Sequence, residues 1–168
     1  WSTSQTHASP ALPGSTMTGS WITPTVQPDE AALTVARRQF IDTYVNAARQ
    51  AIEQLQPANI WAGNGYCDSI SYNSRLPMPG GGNKFSRNYA EGLQSGRFFD
   101  KTVSLVRFEQ EDGRPLGTIF SIACHPATIL DNTMVSPDYV GTARARIEES
   151  SDGAPAMFIQ GFCGDVHN

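Results

Sequence analysis

Val103-Ser-Leu-Val-Arg-Phe108 is rich in β-branched and aromatic residues, and so is the run that follows it, Leu116-Gly-Thr-Ile-Phe-Ser-Ile-Ala123. Residues 109–115, between the two runs, contain a glycine and a proline and favour a turn. The pattern predicts a β-hairpin whose second strand ends at Cys124-His125-Pro126. Because open α/β sheets commonly place ligands and catalytic groups at the carboxyl ends of strands, His125 is a candidate site residue.

Helix and strand patterns alternate along the rest of the chain. Pro28-Asp29-Glu30 is a favourable helix start, apolar residues then recur at three- and four-residue spacing, and Pro57 ends the run. A short apolar strand is predicted at 59–63, a second helix from Ser136-Pro137-Asp138 to about Glu149, and a buried strand at 156–159. This alternation indicates an α/β layered domain with a mixed β-sheet flanked by helices.

Two stretches between these elements have no regular pattern. Residues 8–27 are rich in Ser, Thr, Pro and Gly, and we predict an irregular loop at the rim of a pocket. Residues 73–82 end in Gly80-Gly-Gly82 and are predicted to form a flexible connector. A phosphate-binding loop is disfavoured there, because no Lys-Ser/Thr follows the glycines and no helix opens directly after them.

Length and composition limit the class of protein. The 168 residues are enough for one domain with its own core, and we interpret 1–168 as a single domain. Because the chain begins with Trp1, it is expected to be a processed or excised piece of a longer protein. A net charge of -4, with 12 Lys and Arg and no basic run, disfavours a nucleic-acid partner. No apolar run approaches the roughly 20 residues of a transmembrane helix.

All three histidines lie beside small residues or prolines rather than on a charged surface. His7 is in Gln5-Thr-His7-Ala-Ser-Pro10, His125 follows the predicted hairpin, and His167 is the penultimate residue. Imidazole nitrogen is a common zinc ligand, and we predict that His7 and His125 bind one metal ion. Since the two are far apart in sequence, their spacing does not define a metal site, and ordinary hydrogen-bonded histidines are the alternative.

Three further polar side chains are candidates for the same site. Asp138 and Asp165 follow short Ser/Pro and Gly motifs, so either carboxylate could orient a histidine or bind a metal. Asp138 also fits an ordinary helix cap. Arg75 lies in an apolar, Gly- and Pro-rich loop, where a guanidinium can stabilise an oxyanion or anchor a carboxylate. A solvated loop arginine is the alternative.

The cysteines, Cys67, Cys124 and Cys163, are too few for a disulfide framework and can form at most one bridge. We interpret them as small buried hydrophobic residues beside the site. A thiol nucleophile formed by Cys163 and one of the histidines is a further alternative.

Five segments, taken in order, resemble the N-terminal catalytic domain of the neutral/alkaline (non-lysosomal) ceramidase family. The family shows a Thr-His-Thr-His-Ser-Gly-Pro type segment, an Asn-Arg-x-Arg-like loop, a strand ending in His-Pro-Thr, a Ser-x-Asp-x-x-Gly helix start and Gly-Asp-Val-Ser-Pro-Asn. The counterparts in this chain are Gln5-Thr-His7-Ala-Ser-Pro10, Tyr72-Asn-Ser-Arg75, Cys124-His125-Pro-Ala-Thr128, Ser136-Pro-Asp138-Tyr-Val-Gly141 and Gly164-Asp165-Val-His167-Asn168. They span nearly the whole chain.

The resemblance implies a zinc-dependent amidase that cleaves the amide of a ceramide-like lipid or a related N-acyl substrate through a metal-polarised water. It implies that His125 is a zinc ligand, that His7 lies close enough to shuttle protons and that Arg75 helps to hold the oxyanion. It also implies Asp165 and His167 at the catalytic site, and favours a secreted or periplasmic location.

Two positions depart from the family pattern. Gln5 replaces the first histidine of His-Thr-His, so His7 is expected to take over zinc ligation, and His167 replaces the serine of Gly-Asp-Val-Ser. The family's remaining ligands, a glutamate and a tyrosine, come from sequence downstream, so a C-terminal region of the same protein is expected to complete the site. Because these two positions differ from the family pattern, the substrate can differ from ceramide. The alternative is a non-catalytic binding or structural domain of the same fold.

Overall fold

A computed structural model describes residues 4–9, 29–129 and 134–168. These residues form two compact units, one containing 4–9 with 57–168 and the other containing 29–56. The interpretation of 1–168 as a single domain stays a prediction, and the loop predicted at 8–27 lies outside the described residues from position 10 onward. No helix in the described ranges combines the length and the apolar character that a membrane crossing requires.

The helices and strands are numbered in chain order. They are α1 (Glu30–Glu53), β1 (Asn59–Tyr66), β2 (Tyr72–Asn73), β3 (Arg75–Pro77), β4 (Asn83–Phe85), α2 (Tyr89–Gln94), β5 (Thr102–Glu109), β6 (Pro115–Ile122), α3 (Asp138–Glu149), β7 (Ala156–Gln160) and β8 (Val166–His167).

Helix α1 forms the second unit and confirms the helix predicted from the apolar spacing. Its N-cap is Asp29, whose carboxylate accepts a hydrogen bond from the backbone N–H of Ala31 at 3.1 Å. Glu30 in the first turn is placed favourably toward the positive end of the helix dipole. The helix ends before Pro57, as predicted, because proline cannot continue the backbone hydrogen bonding.

The main sheet of the first unit has four strands in the order β1-β5-β6-β7. Strands β5 and β6 form the predicted antiparallel hairpin, β1 pairs antiparallel with β5, and β7 pairs parallel with β6. The mixed sheet and its helices confirm the predicted α/β layered fold. The ends of β6 and β7 meet at the same edge because the two strands are parallel, and this brings the segments after them together.

Two apolar clusters hold this unit together. Phe120 and Ala156 on the sheet pack against Val140 of α3 in the first cluster. The second lies at the carboxyl end of β6, where Ile122 and Cys124 pack with Phe99 and Val166, and its four core residues are at most 9% exposed. The second cluster packs beneath the segment that carries His125.

The prediction of a flexible connector at 73–82 was wrong, because β3 and β4 form an antiparallel two-stranded sheet across these residues. The three glycines 80–82 form the turn, with φ angles of 81 to 100° that residues with a side chain rarely adopt. The Met78 N–H donates to the Gly82 carbonyl at 3.2 Å and closes the turn. Helix α2, which follows β4, was not predicted either.

Candidate functional site

The three histidines lie next to one another, although they are distant in sequence. The ring centres of His7 and His125 are 5.4 Å apart with an angle of 64° between the planes. The rings of His125 and His167 are stacked, with centres 4.8 Å apart and planes only 10° from parallel. The imidazole cluster, as we call these three side chains, therefore has His125 at its centre.

His125 is held by the chain end that follows β7. Its backbone N–H donates to the carbonyl of Val166 at 3.0 Å, and its ring Nδ1 lies 2.7 Å from the carbonyl oxygen of Cys163. A carbonyl oxygen can only accept, so Nδ1 carries the proton and donates it. The lone pair of the neutral ring is therefore on Nε2, the arrangement that a metal-binding histidine usually has.

His7 reaches the cluster because its segment is attached to the loop after β6. The His7 backbone N–H donates to the Pro126 carbonyl at 3.1 Å, and the Ser136 N–H donates to the Ala8 carbonyl at 2.9 Å. The Ala8 side chain is buried. Gln5, which stands where the resembled family has its first histidine, is exposed and has a φ of 59°.

His167 is placed by a short ladder between β8 and β2, in which it faces Tyr72 across the strands. Its side chain is buried, and its ring centre lies 5.3 Å from that of Phe85 in β4. The loop in which Arg75 was predicted is instead strand β3, and this ladder and the neighbouring β3–β4 hairpin connect Arg75 to the C-terminal histidine.

Desolvation and neighbouring positive charge lower the pKa values of His7 and His167. Desolvation is the largest cause lowering the His167 pKa, which falls to about 4, and the other two imidazoles, Arg87 and Arg75 lower it further. Desolvation is also the largest cause lowering the pKa of His7. His125 and Arg87 lower this pKa further, and Asp138 raises it. His7 and His167 thus have free lone pairs at neutral pH.

Two arginines flank the ring of Phe85 beside the imidazole cluster. The guanidinium carbon of Arg75 lies 5.0 Å from the ring centre and that of Arg87 lies 5.8 Å from it. Arg75 was predicted from the sequence, whereas Arg87 was missed. The sequence signal for Arg87 was Phe85-Ser-Arg87, in which an aromatic residue stands two positions before an arginine. This segment lies near Arg75 and His167 only because the turn after β3 brings β4 back along β3.

Asp165 is exposed, and its contacts join the C-terminal segment to the loop after β2. The side-chain amide of Asn73 donates to the Asp165 carboxylate at 2.8 Å. Both the backbone N–H and the hydroxyl of Ser74 donate to the Asp165 carbonyl, at 2.7 and 3.0 Å. These contacts position β8, and a catalytic role for Asp165 stays a prediction.

Asp138 is buried at the start of α3 and binds the loop that follows His125. Its carboxylate accepts from the Thr128 hydroxyl at 2.7 Å and from the backbone N–H groups of Ile129 and Tyr139 at 3.1 and 2.7 Å. Its φ of 54° is unusual for a residue with a side chain. Asp138 therefore fastens the strand-to-helix connection, and Thr128 also accepts a hydrogen bond from the amide of Asn168.

Burial makes the two thiols beside the cluster poor nucleophiles. Desolvation raises the pKa of Cys124 to about 11 and also raises the pKa of Cys163. All three cysteines are free thiols. Because the thiolate is the reactive form, these environments disfavour a thiol mechanism at Cys163.

The separation of His7 and His125 is compatible with the predicted metal ion, whose binding stays a prediction. Zinc–nitrogen bonds of about 2.0–2.1 Å in tetrahedral geometry place two imidazole centres on the order of 5 Å apart, close to the 5.4 Å between these rings. An ion bound by an imidazole lies in the ring plane, so the nearly parallel rings of His125 and His167 do not point at one ion. In agreement, no group of three or more His, Cys, Asp or Glu side chains within 4–9, 29–129 and 134–168 is arranged to hold a metal.

Comparison with known proteins identifies the fold. Neither a protein-family model nor a curated protein sequence matches this chain. Among solved structures, a neutral ceramidase from Pseudomonas aeruginosa matches 79% of the chain at 22% identity with a TM-score of 0.58. The chain has a neutral ceramidase-like fold. A ceramidase complexed with C2 matches with the same coverage and identity and a TM-score of 0.59.

The ceramidase-like region is a part of the proteins it matches. It spans 20% of the length of each of these two ceramidase chains. The resemblance inferred from the five sequence segments is confirmed for the fold.

Proposed function

We propose that this chain is the N-terminal part of a ceramidase-like hydrolase that cleaves the amide of a ceramide or a related N-acyl substrate, with zinc held by His7 and His125. The observation that supports this proposal most directly is the separation of 5.4 Å between the two rings, together with the hydrogen bond that leaves His125 Nε2 free to bind. The fold similarity to neutral ceramidase supports the substrate class.

Zinc bound there would polarise the amide carbonyl and acidify a water. The other residues of the site then have separate roles in the proposal. Neutral His167 accepts a hydrogen bond from water or from the substrate amide, because the low pKa leaves its lone pair free at pH 7. Arg75 stabilises the negative charge that develops on the carbonyl oxygen. Two protein ligands are fewer than zinc normally takes, so a further region of the protein would complete the ligand set.

A pair of substitutions tests this assignment in the full-length protein. His125→Gln removes a ligand and is expected to abolish both stoichiometric zinc and hydrolysis of a fluorescent ceramide. His167→Gln is the matched control, because the stacked ring does not point at the same ion. It should retain zinc while slowing hydrolysis, by about 100-fold if His167 takes part in proton transfer. Zinc retained in His125→Gln would contradict the assignment.

A non-catalytic domain of the same fold is the second candidate. It is favoured by the absence of a three-residue ligand group among the described residues and by Gln5 and His167 at two positions of the family pattern. This candidate requires that the full-length wild type contain no zinc and leave both ceramide and N-acyl amino acids intact, so the same measurements separate the two.

A further inference from the structure

The β3–β4 hairpin places two cations next to the imidazole cluster without a carboxylate to balance them. No ion pair joins either Arg75 or Arg87 to an acidic side chain in the part of the chain that the structure describes. By contrast, Arg107, Arg114 and Arg144 each have a carboxylate within 3.1 Å.

The acidic groups of the surrounding segments are engaged elsewhere. Glu91 of α2 lies 3.4 Å from Lys84 and accepts from the Ser86 hydroxyl at 2.9 Å. Asp165 accepts from Asn73, and Asp138 accepts from the loop after β6. The positive charges of these two exposed arginines are therefore not balanced by an acidic side chain among the described residues.

Phe85 fixes where these charges lie. Both guanidinium groups rest within 6 Å of its ring, and the ring itself contacts His167, so the arginines and the imidazoles share one neighbour. Arg75 begins β3, opposite Phe85, and Arg87 follows the end of β4 by two residues, so the paired strands bring both guanidinium groups to the same ring.

We infer that Arg75 and Arg87 form a carboxylate-binding site adjoining the imidazole cluster. A planar guanidinium binds a carboxylate through two parallel hydrogen bonds, and Arg75 and Arg87 are both exposed and have no acidic partner among the described residues, so they are available to an anionic ligand. The inference rests on the proposed function only for the source of the carboxylate. The carboxylate would be either that of the acid released from the amide or an acidic group on the amine half of an N-acyl amino acid.

The test measures binding rather than turnover, so that it does not depend on zinc or on hydrolysis. Decanoate is titrated calorimetrically into full-length protein from which metal has been removed by a chelator, with decanamide as the uncharged probe. We expect Arg87→Gln and Arg75→Gln each to weaken decanoate binding about 10-fold, since hydrogen bonds to charged groups are the stronger ones. Arg87→Lys should bind decanoate with intermediate affinity, because lysine keeps the positive charge but lacks the planar guanidinium that forms two parallel hydrogen bonds.

Arg114→Gln is the matched control, because Arg114 lies in the β5–β6 turn, where it pairs with Asp112. It should bind decanoate as the wild type does. Unchanged decanoate binding in Arg87→Gln, or an equal loss of decanamide binding, overturns the inference. The proposed hydrolase survives that result, because zinc content and hydrolysis are measured separately.

N-decanoylglycine and N-decanoylethanolamine distinguish the two sources of the carboxylate. If the glycine derivative binds more tightly than its neutral analogue and Arg87→Gln removes the difference, the carboxylate belongs to the substrate. If only decanoate depends on Arg87, the site holds the released acid. If neither ligand depends on Arg87, there is no carboxylate site here.

Discussion

At the scale of single residues, the cysteines differ in ways that a labelling experiment can detect. Cys124 is fully buried, and its pKa of about 11 leaves only about a thousandth of its thiols ionised at pH 8. Cys163 is 7% exposed, and burial also raises its pKa. Cys67 is partly exposed.

We therefore expect iodoacetamide at pH 8 to modify Cys67 in the folded protein and to leave Cys124 and Cys163 unmodified, as measured by peptide mass mapping. All three should react in guanidinium chloride. Cys67→Ser serves as the control, and none of the three positions should then be labelled in the folded state. Rapid modification of Cys163, with loss of hydrolysis, would instead favour a thiol mechanism.

The residues of the candidate site show what a sequence can reveal at this scale. His7 and His125 could be proposed because the chain contains only three histidines, each in a segment with a family-like pattern. Arg87 could not, because an arginine in a polar segment is ordinarily solvated, and its proximity to the cluster depends on a turn that brings β4 back along β3. The structural role of Asp138 was missed for a related reason, since its partners at 128 and 129 belong to another segment.

At the scale of elements, α3 and β7 are joined by a pair of side chains at the start of β7. Glu148 accepts from the Ala156 N–H at 3.0 Å and from Arg144 at 3.1 Å, and Arg144 Nε donates to the Ala156 carbonyl at 2.8 Å. Ala156 is only 1% exposed, and its N–H loses its hydrogen-bond partner if the carboxylate is removed.

Glu148→Ala is therefore expected to lower the Tm by roughly 2–4 °C, the shift that one lost buried hydrogen bond causes in a protein of this size. Glu148→Gln should retain most of the stability because it keeps an acceptor. Glu149→Ala is the control in the same helix turn. Glu149 pairs with Arg146 at the surface, with side chains 70% and 78% exposed, and such pairs contribute little. An equal loss of Tm in Glu149→Ala would contradict this account.

Elements were predictable where local pattern and packing agree. The hairpin of β5 and β6 and helix α3 carry their periodicity in sequence, and Phe120 of β6 packs against Val140 of α3 as the pattern implies. Strand β7 forms where it was predicted, but the prediction that it is buried was wrong, because Ala156 and Phe158 pack with the core while Met157 and Ile159 are 60% and 41% exposed. The strands β3 and β4 have three residues each, are mostly exposed and are separated by glycines. They have no periodicity to detect, and pairing across the turn, rather than strand propensity, makes them a sheet.

At the scale of the whole molecule, the candidate site depends on contacts between distant parts of the chain. Segment 4–9 is attached to the loop after β6 through His7 and to the start of α3 through Ala8. His125 is attached in turn to the C-terminal segment through Val166 and Cys163. None of these connections follows from spacing, and the order of family-like segments predicted only that His7 and His125 lie close together.

The attachment of segment 4–9 leads to a prediction that separates the site from the stability of the fold. Ala8 is buried, and its methyl group leaves no room for a long charged side chain. Ala8→Arg should displace the segment and move His7 away from His125. The hydrogen bonds of His7 with Pro126 and of Ala8 with Ser136 form only while the Ala8 side chain is buried against the rest of the unit. The two apolar clusters contain no residue of 4–9, so the cooperative unfolding transition should persist with little change in Tm. Zinc affinity should fall about 10- to 100-fold, the loss typical when the support of a ligand is removed.

Ser9→Arg introduces the same side chain at the adjacent, exposed position and should leave zinc affinity unchanged. Wild-type affinity in Ala8→Arg would mean that His7 does not bind the metal, and His125 would then need its partners from elsewhere in the protein.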